Sequence, residues 1–229
     1  MSTRRVLVVG ASRGLGLGLV ARFLARGWSV TATVRRPSAA LGDLAAAGPL
    51  RIESGVDIDD DDAVTALRAT LADAPDFDLV FVVAGVATQA GTPVTALPRP
   101  VAGAMFQTNA LSPIRFAEAF HKRVAPGGLI VLMTSKLGSV SLNRGGGWGG
   151  YRASKAALNT LARSFTGQHP KAQWGVVLMH PGWVRTDLGG RRATLDVETS
   201  ARGMVAVLEG HLGQSGCVFL DHTGQTVPW

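Results

Sequence analysis

One tyrosine occurs in the chain, and a lysine follows it by four places: Tyr151-Arg152-Ala153-Ser154-Lys155. On a helix that spacing brings both side chains to one face, about 6 Å apart along the axis. A free phenol, with a pKa near 10, exchanges protons sluggishly at neutral pH. An ammonium about 4 Å away favours phenolate by roughly 4 kcal/mol at an effective dielectric of 20, before screening. That is roughly two to three pKa units, enough to make the phenol a useful acid or base. The same pair also fits a packing tyrosine beside a chance lysine, and spacing alone does not choose.

A second cluster lies near the N-terminus. A short apolar run ends in Gly10-Ala11-Ser12-Arg13-Gly14-Leu15-Gly16, which opens a helical stretch. Glycines there allow a tight turn and let the backbone approach a pyrophosphate at a helix N-terminus, whose free N–H groups attract anions. The spacing is Gly-x-x-x-Gly-x-Gly, not the widespread Gly-x-Gly-x-x-Gly fingerprint. Sites for NAD place a carboxylate near the end of the second strand. Here no acidic residue precedes Asp43, whereas Arg13 lies within the turn and Arg35 and Arg36 close the second strand. Paired guanidinium donors suit a 2′-phosphate, so NADP(H) is favoured over NAD(H). Arginine outnumbers lysine 19 to 4, so solvated surface arginines are the bland alternative.

Composition narrows the classes. The chain is 46% hydrophobic and 17% charged over 229 residues, which suits one globular α/β domain spanning 1–229 rather than disorder. The net charge of +7 is scattered, without a basic stripe or interleaved aromatics, so no nucleic-acid partner is expected. Met1 to Arg5 leads into an apolar run too short for a signal segment or a membrane span. Cys217, the single cysteine, reads as a buried core thiol in a reducing cytoplasm, and a cytoplasmic location is expected. The five histidines show no ligand spacing with Cys, Asp or Glu, so no metal site is expected. Asp59 to Asp62 precede an Ala/Leu-rich stretch and read as a helix cap rather than a calcium site.

The elements that must position these groups alternate along the chain. Strands are expected over 5–9, 28–34, 51–56, 78–83, 129–134, 175–180 and 217–220, as short apolar or Val/Thr-rich runs. Helices are expected over 15–26, 39–47, 60–74, 101–124 (bent near Pro113), 151–167 and 197–210. Seven strands alternating with six helices predict a single doubly wound domain, with a mostly parallel sheet covered on both faces.

Together these residues resemble the short-chain dehydrogenase/reductase family, over essentially the whole chain and in order. Gly10 to Gly16 is similar to its cofactor turn, and Tyr151-x-x-x-Lys155 to its catalytic pair. Asn109 matches the family's helix asparagine and Ser135 the serine after the fifth strand. Pro181-Gly182-Trp183-Val184-Arg185-Thr186-Asp187 matches the loop after the sixth strand, and Asp57-Ile58 the pair at adenine. The compact tail, ending Val227-Pro228-Trp229, looks like the C-factor and Sniffer-like carbonyl reductase branch.

The resemblance implies a Rossmann-type fold and an NADPH-dependent reduction of an aldehyde or ketone to an alcohol. Ser135 would hold the carbonyl oxygen and Tyr151 would protonate it. Lys155 would bond the nicotinamide ribose and lower the Tyr151 pKa, and Asn109 would hold a water. The implied cofactor contacts are Gly10, Ser12, Arg13, Gly14, Leu15, Gly16, Arg35, Asp57, Ile58, Ala84, Gly85, Tyr151, Lys155, Pro181, Gly182, Trp183, Val184 and Thr186. By the same analogy, the helices around Asn109 and Tyr151 would pair subunits in a homodimer or homotetramer.

Two departures stand out. Val82-Val83-Ala84-Gly85 replaces the family's Asn-Asn-Ala-Gly, removing side-chain bonds that brace the strands there. The stretch from Ser135 to Tyr151 is long and carries Arg144 to Gly150, a glycine-rich loop; Ser139 or Ser141 are the alternatives to Ser135. Trp148 and Trp183 are expected to flank the pocket and suggest an apolar or aromatic substrate. Rival readings are an alcohol dehydrogenase running oxidatively, and a cofactor-binding signalling protein without significant turnover.

Overall fold

A computed structural model describes residues 3–46 and 48–229. Among them, seven strands form one sheet: β1 (Arg5–Val9), β2 (Ser29–Val34), β3 (Leu50–Ser54), β4 (Phe77–Val82), β5 (Val124–Met133), β6 (Gly175–His180) and β7 (Gly216–Asp221). Their order is β3-β2-β1-β4-β5-β6-β7, and every pairing is parallel. The expected doubly wound α/β architecture is therefore present, with the order reversing between β1 and β4.

Both faces of the sheet are covered, which is why its strands read as unbroken apolar runs. In β1, Leu7 and Val9 join a core with Phe116 and Phe120 of α5 (Ser112–Phe120) and Leu158 and Phe165 of α6 (Gly149–Gln168). Val64 and Leu67 of α3 (Asp61–Thr70) complete that side. Val6 and Val8 face the opposite core. It is filled by Leu19 and Phe23 of α1 (Gly14–Ala25), Leu41 of α2 (Ala39–Ala45), and Met204 and Leu208 of α7 (Val197–His211). The expected end of the second helix at Ala47 lies outside the described residues. Cys217 is half-buried rather than fully enclosed, because it sits near the start of the edge strand β7.

The largest departure is the expected helix over 101–124. It breaks into α4 (Arg99–Phe106), a π-helical turn Gln107–Leu111, α5, and a 3₁₀ turn His121–Arg123. Pro113 has no N–H to give the carbonyl four residues before it, and that residue is Asn109. The wider π turn absorbs this missing bond, and Asn109 sits within it. Strand β5 is longer than expected, because Val124 pairs with Phe77 across a register shift before regular pairing begins at Leu129.

The acidic run has divided duties. Asp60 caps α3, accepting from the Asp62 and Ala63 amides at 2.9 and 3.2 Å. Asp59 instead accepts from the Thr108 and Ser112 hydroxyls, both at 2.6 Å, and so ties down the two sides of Asn109. Asp61 pairs with Arg115 on α5. Asp59→Ala is expected to cost about 1–2 kcal/mol in urea unfolding, as two hydroxyls lose a charged acceptor. Asp62→Ala, on the exposed side of the cap, should stay within about 0.5 kcal/mol.

Candidate active site

At the end of β1 the chain turns through Gly10 (φ +89°) and Gly14 (φ +55°). A Cβ on Gly10 would lie 3.0 Å from the Ala84 backbone, and one on Gly16 only 2.2 Å from the Gly10 carbonyl oxygen. Glycine is required here by space as well as by dihedral angle. Helix α1 then starts with no side chain capping it, so its first N–H groups are left for an anion. The side-chain bracing expected to be missing falls at Val82 and Val83, and the strand ends there are joined through the backbone. The Val83 and Ala84 amides donate to the Val9 carbonyl (2.9 and 3.1 Å), and those of Gly10 and Ala11 to the Thr33 carbonyl (3.2 and 2.9 Å).

This turn forms one wall of a cleft of about 520 Å³. Gly10, Ser12, Arg13, Gly14, Leu15, Gly16, Arg35, Asp57, Ile58, Ala84, Gly85 and Thr186 all line it, as expected of cofactor contacts. Such a glycine-rich cradle at a helix N-terminus, with apolar Ile58 along the wall and arginines nearby, fits a phosphorylated dinucleotide. Arg13 is bonded to Asp187, and Arg35 lies 3.6 Å from Asp57; both guanidinium groups are largely exposed. Pro181, Gly182, Trp183 and Val184 lie outside the cleft lining. The Pro181 carbonyl accepts from Ser200, and Val184 is buried in a bridge to Leu195.

Of the four expected catalytic side chains, Asn109 and Lys155 meet beside Gly85 and Tyr151 contacts Ser135, while Tyr151 and Lys155, also expected to touch the cofactor, lie outside the cleft lining. A Cβ on Gly85 would lie 3.1 Å from Asn109 Oδ1 and 3.4 Å from Lys155 Nζ. Asn109 holds the Val86 backbone on both sides, accepting from its N–H and donating to its carbonyl at 2.8 Å each, and also donates to Ser154 Oγ at 3.0 Å. Both Nδ2 protons are thereby used, so the side chain braces the loop after β4 against α6 instead of donating to a water. Lys155 is 3% exposed, and its Nζ donates to the Met133 carbonyl at 2.9 Å. Ser135 caps the 3₁₀ turn Lys136–Gly138, accepting from the Leu137 amide at 3.1 Å.

The expected electrostatics are corrected here. Burial pushes the Tyr151 phenol up to about 12, and only its hydrogen-bonding contact with Ser135 pulls the other way. Burial also brings the Lys155 amine down to about 7. The spacing argument counted attraction between the two groups and omitted desolvation, which opposes charge on both. Ser139 and Ser141 face elsewhere, both bonding the Trp229 carbonyl, so Ser135 is the serine at the phenol.

Trp148 lines the cleft, its ring edge-on to Tyr151 at 5.9 Å. It holds a left-handed backbone (φ +63°), a strained state for a bulky residue, at the first step into α6. The other tryptophan does not flank the cleft: the Trp183 indole donates to the Gly189 carbonyl at 2.8 Å in the following loop.

Several supporting residues were missed. Ser154 donates to the Tyr151 carbonyl at 2.8 Å, and its place three residues after Tyr151 was a readable signal. Asn159 accepts from Thr134 (2.7 Å) and donates to the Gly138 carbonyl (3.3 Å), clamping both ends of the Ser135 turn to α6. Lys136 Nζ donates to Asp221 at 2.8 Å, 85 residues away, for which no local signal exists. Burial alone pushes Asp221 up, but bonds from Lys136, Thr223 and Gln225 outweigh it and leave the carboxyl well below the usual range. Nearby, His180 falls to about 4, through burial first and then the Lys136 charge. Away from the cleft, Glu118, His121 and His169 come together where α5 and the following 3₁₀ turn meet the end of α6.

The sequence profile of the short chain dehydrogenase family matches residues 4–195. The chain belongs to that family. As a short-chain dehydrogenase it is an oxidoreductase enzyme. A short-chain dehydrogenase/reductase from Burkholderia multivorans, solved with bound NADP, is 40% identical and covers all of both chains at a TM-score of 0.95. The carbonyl reductase Sniffer of D. melanogaster is 29% identical, again over all of both chains, at a TM-score of 0.85. The C-signal protein of Myxococcus xanthus is 41% identical over 126 residues, which are 54% of this chain and 76% of that protein. The carbonyl reductase-like branch read from the tail is thus supported. Among the described residues, no helix is long and apolar enough to cross a membrane.

The buried lysine has a consequence for stability. From about pH 7 up to the ordinary lysine value of 10.5, the unfolded chain holds this proton and the folded chain releases it. Stability therefore rises with pH through that window. The raised Tyr151 acts only above pH 10, where it subtracts. Urea unfolding at roughly pH 7.5, 8.5 and 9.5 should show wild type gaining on Lys155→Met at each step; a constant difference would refute the depressed amine.

Proposed function

We propose that this short-chain dehydrogenase reduces the carbonyl of a small aldehyde or ketone to an alcohol, using NADPH, with Tyr151 as proton donor. The observation that carries the reading is the buried Tyr151 phenol in contact with Ser135 and with Trp148 of the cleft wall, one helical turn before the buried Lys155. Bound in that cleft, the nicotinamide cofactor supplies the hydride. Ser135 offers its hydroxyl to the substrate oxygen, and Tyr151 passes its phenolic proton to the same atom. Lys155, protonated, has two donor protons beyond the one on Met133; they suit a ribose hydroxyl and the charge left on the phenol. Asn109 and Asn159 hold the loops that carry these groups.

The Tyr151 phenol carries its proton at neutral pH, the form that reduction uses. The NADP bound to the Burkholderia relative and the two arginines at the cleft support NADPH over NADH. Arg13 and Arg35, exposed and paired with Asp187 and Asp57, would be the residues to hold a 2′-phosphate there. Trp148 offers an apolar or aromatic carbonyl a flat wall over the phenol.

The resemblance to C-signal keeps a signalling role as a second reading. Tyr151→Phe separates the two. Turnover of aldehydes and ketones, followed by NADPH absorbance, should fall about a hundredfold or more, with NADPH affinity within about twofold of wild type. If turnover is absent in wild type, or survives the substitution, the enzymatic reading fails. In the same assay wild type should prefer NADPH to NADH in kcat/KM, and Arg35→Ala should erase about tenfold of that preference. Equal use of both cofactors by wild type would overturn the arginine argument.

A further inference from the structure

We propose that Glu118, His121 and His169 form a binding site for a divalent transition-metal cation of the zinc type, separate from the cleft. Glu118 lies near the end of α5, and His121 follows it by three residues at the start of the 3₁₀ turn, so both project from one side. His169, which ends α6, completes the group. Glu118 Oε1 is 3.7 Å from His121 Nε2, and Oε2 is 3.6 Å from His169 Nε2. All three ligand atoms lie within 4.8 Å of one another. Ligand atoms around tetrahedral zinc, each about 2.0–2.1 Å from the ion, are about 3.3 Å apart. The exposed Glu118 side chain is free to make that closing movement.

Three further observations fit a cation. His169 Nδ1 is 3.0 Å from the Phe165 carbonyl, which can only accept, so Nδ1 carries a proton and Nε2 is the ring nitrogen that faces the cluster and can ligate. Phe165 and Trp174 stack at 5.3 Å, and their rings lie 4.7 and 5.6 Å from His169, forming a dry wall behind it. Both histidines stand at helix C-termini, where the unpaired carbonyls carry partial negative charge. Lys122 opposes a cation, whereas Arg123 is occupied by Asp76 and the carbonyls of Leu71, Ala72 and Ala74. Two imidazoles and one carboxylate select zinc-like ions; magnesium and calcium require oxygen ligands. With three protein ligands, a bound ion keeps at least one position for water and ties α5 to α6 at the ends remote from Tyr151.

The test uses the full chain, treated with EDTA and dialysed free of it. Zinc is titrated against a chromophoric chelator at pH about 7.5. One equivalent with micromolar or tighter affinity is expected, undisturbed by excess magnesium. Glu118→Gln and His169→Gln should each weaken it about tenfold or more. His211→Gln, at another helix end with the same Nδ1-to-carbonyl bond, should leave it unchanged. Circular dichroism melts show that each variant is folded, and X-ray absorption at the zinc edge should show imidazole nitrogen. Absence of saturable micromolar binding overturns the site, as does equal affinity in His121→Gln/His169→Gln. In either case Glu118 is only a polar neighbour of the two imidazoles.

Discussion

The amine of Lys155 meets the Met133 carbonyl at the end of β5, in a place almost closed to solvent. Removing an amine from water is costly unless its protons are bonded or its charge is given up. Its neighbours are arranged around that constraint. Gly85 leaves room for Nζ, Asn109 fastens the loop after β4, and the 3₁₀ turn behind Ser135 lies so close to α6 that a Cβ on Gly138 would lie 2.8 Å from the Lys155 backbone. A lysine held this way is a responsive group, since any ligand that offers it an acceptor or a negative charge favours its protonated form.

Desolvation acts on the phenol in the opposite chemical sense. It holds Tyr151 in its acid form, whereas attraction to an ammonium favours phenolate. Burial prevails here, and it drives Lys155 itself towards neutrality. The proton-donating state is thereby the resting state of the folded chain. Ser135, touching the phenol and fixed at the cap of its own turn, supplies a second polar atom at a set position.

Support for the site comes from distant parts of the chain. Asp59, just past β3, holds Thr108 and Ser112 on either side of Asn109. Pro113 follows the π turn that holds that asparagine and cannot donate to its carbonyl. Asp221, at the end of β7, anchors Lys136 and with it the turn that carries Ser135. Two separate strand ends, of β3 and β7, thus fix residues of the site, in accord with ligand binding at the carboxyl ends of a parallel sheet.

Much of this was legible in the residues. Continuous apolar runs gave the strands because both faces of the sheet are buried, and Gly10, Gly14 and Gly16 marked the cradle because no side chain fits there. Tyr151, Lys155, Ser135 and Asn109 were found through family resemblance and a four-residue helical spacing. The boundaries of the long helix were not legible, since its division depends on how Pro113 is accommodated within a turn fastened by Asp59. Nor were the proton affinities of Tyr151 and Lys155, because desolvation is a property of everything packed around a group and has no local pattern. The meeting of His169 with Glu118 and His121 likewise exists only once α5 and α6 lie side by side. Sequence by itself determined which groups are present and which can share a helical face; tertiary structure decided their burial, their partners and therefore their charge, because those depend on contacts between residues far apart in the chain.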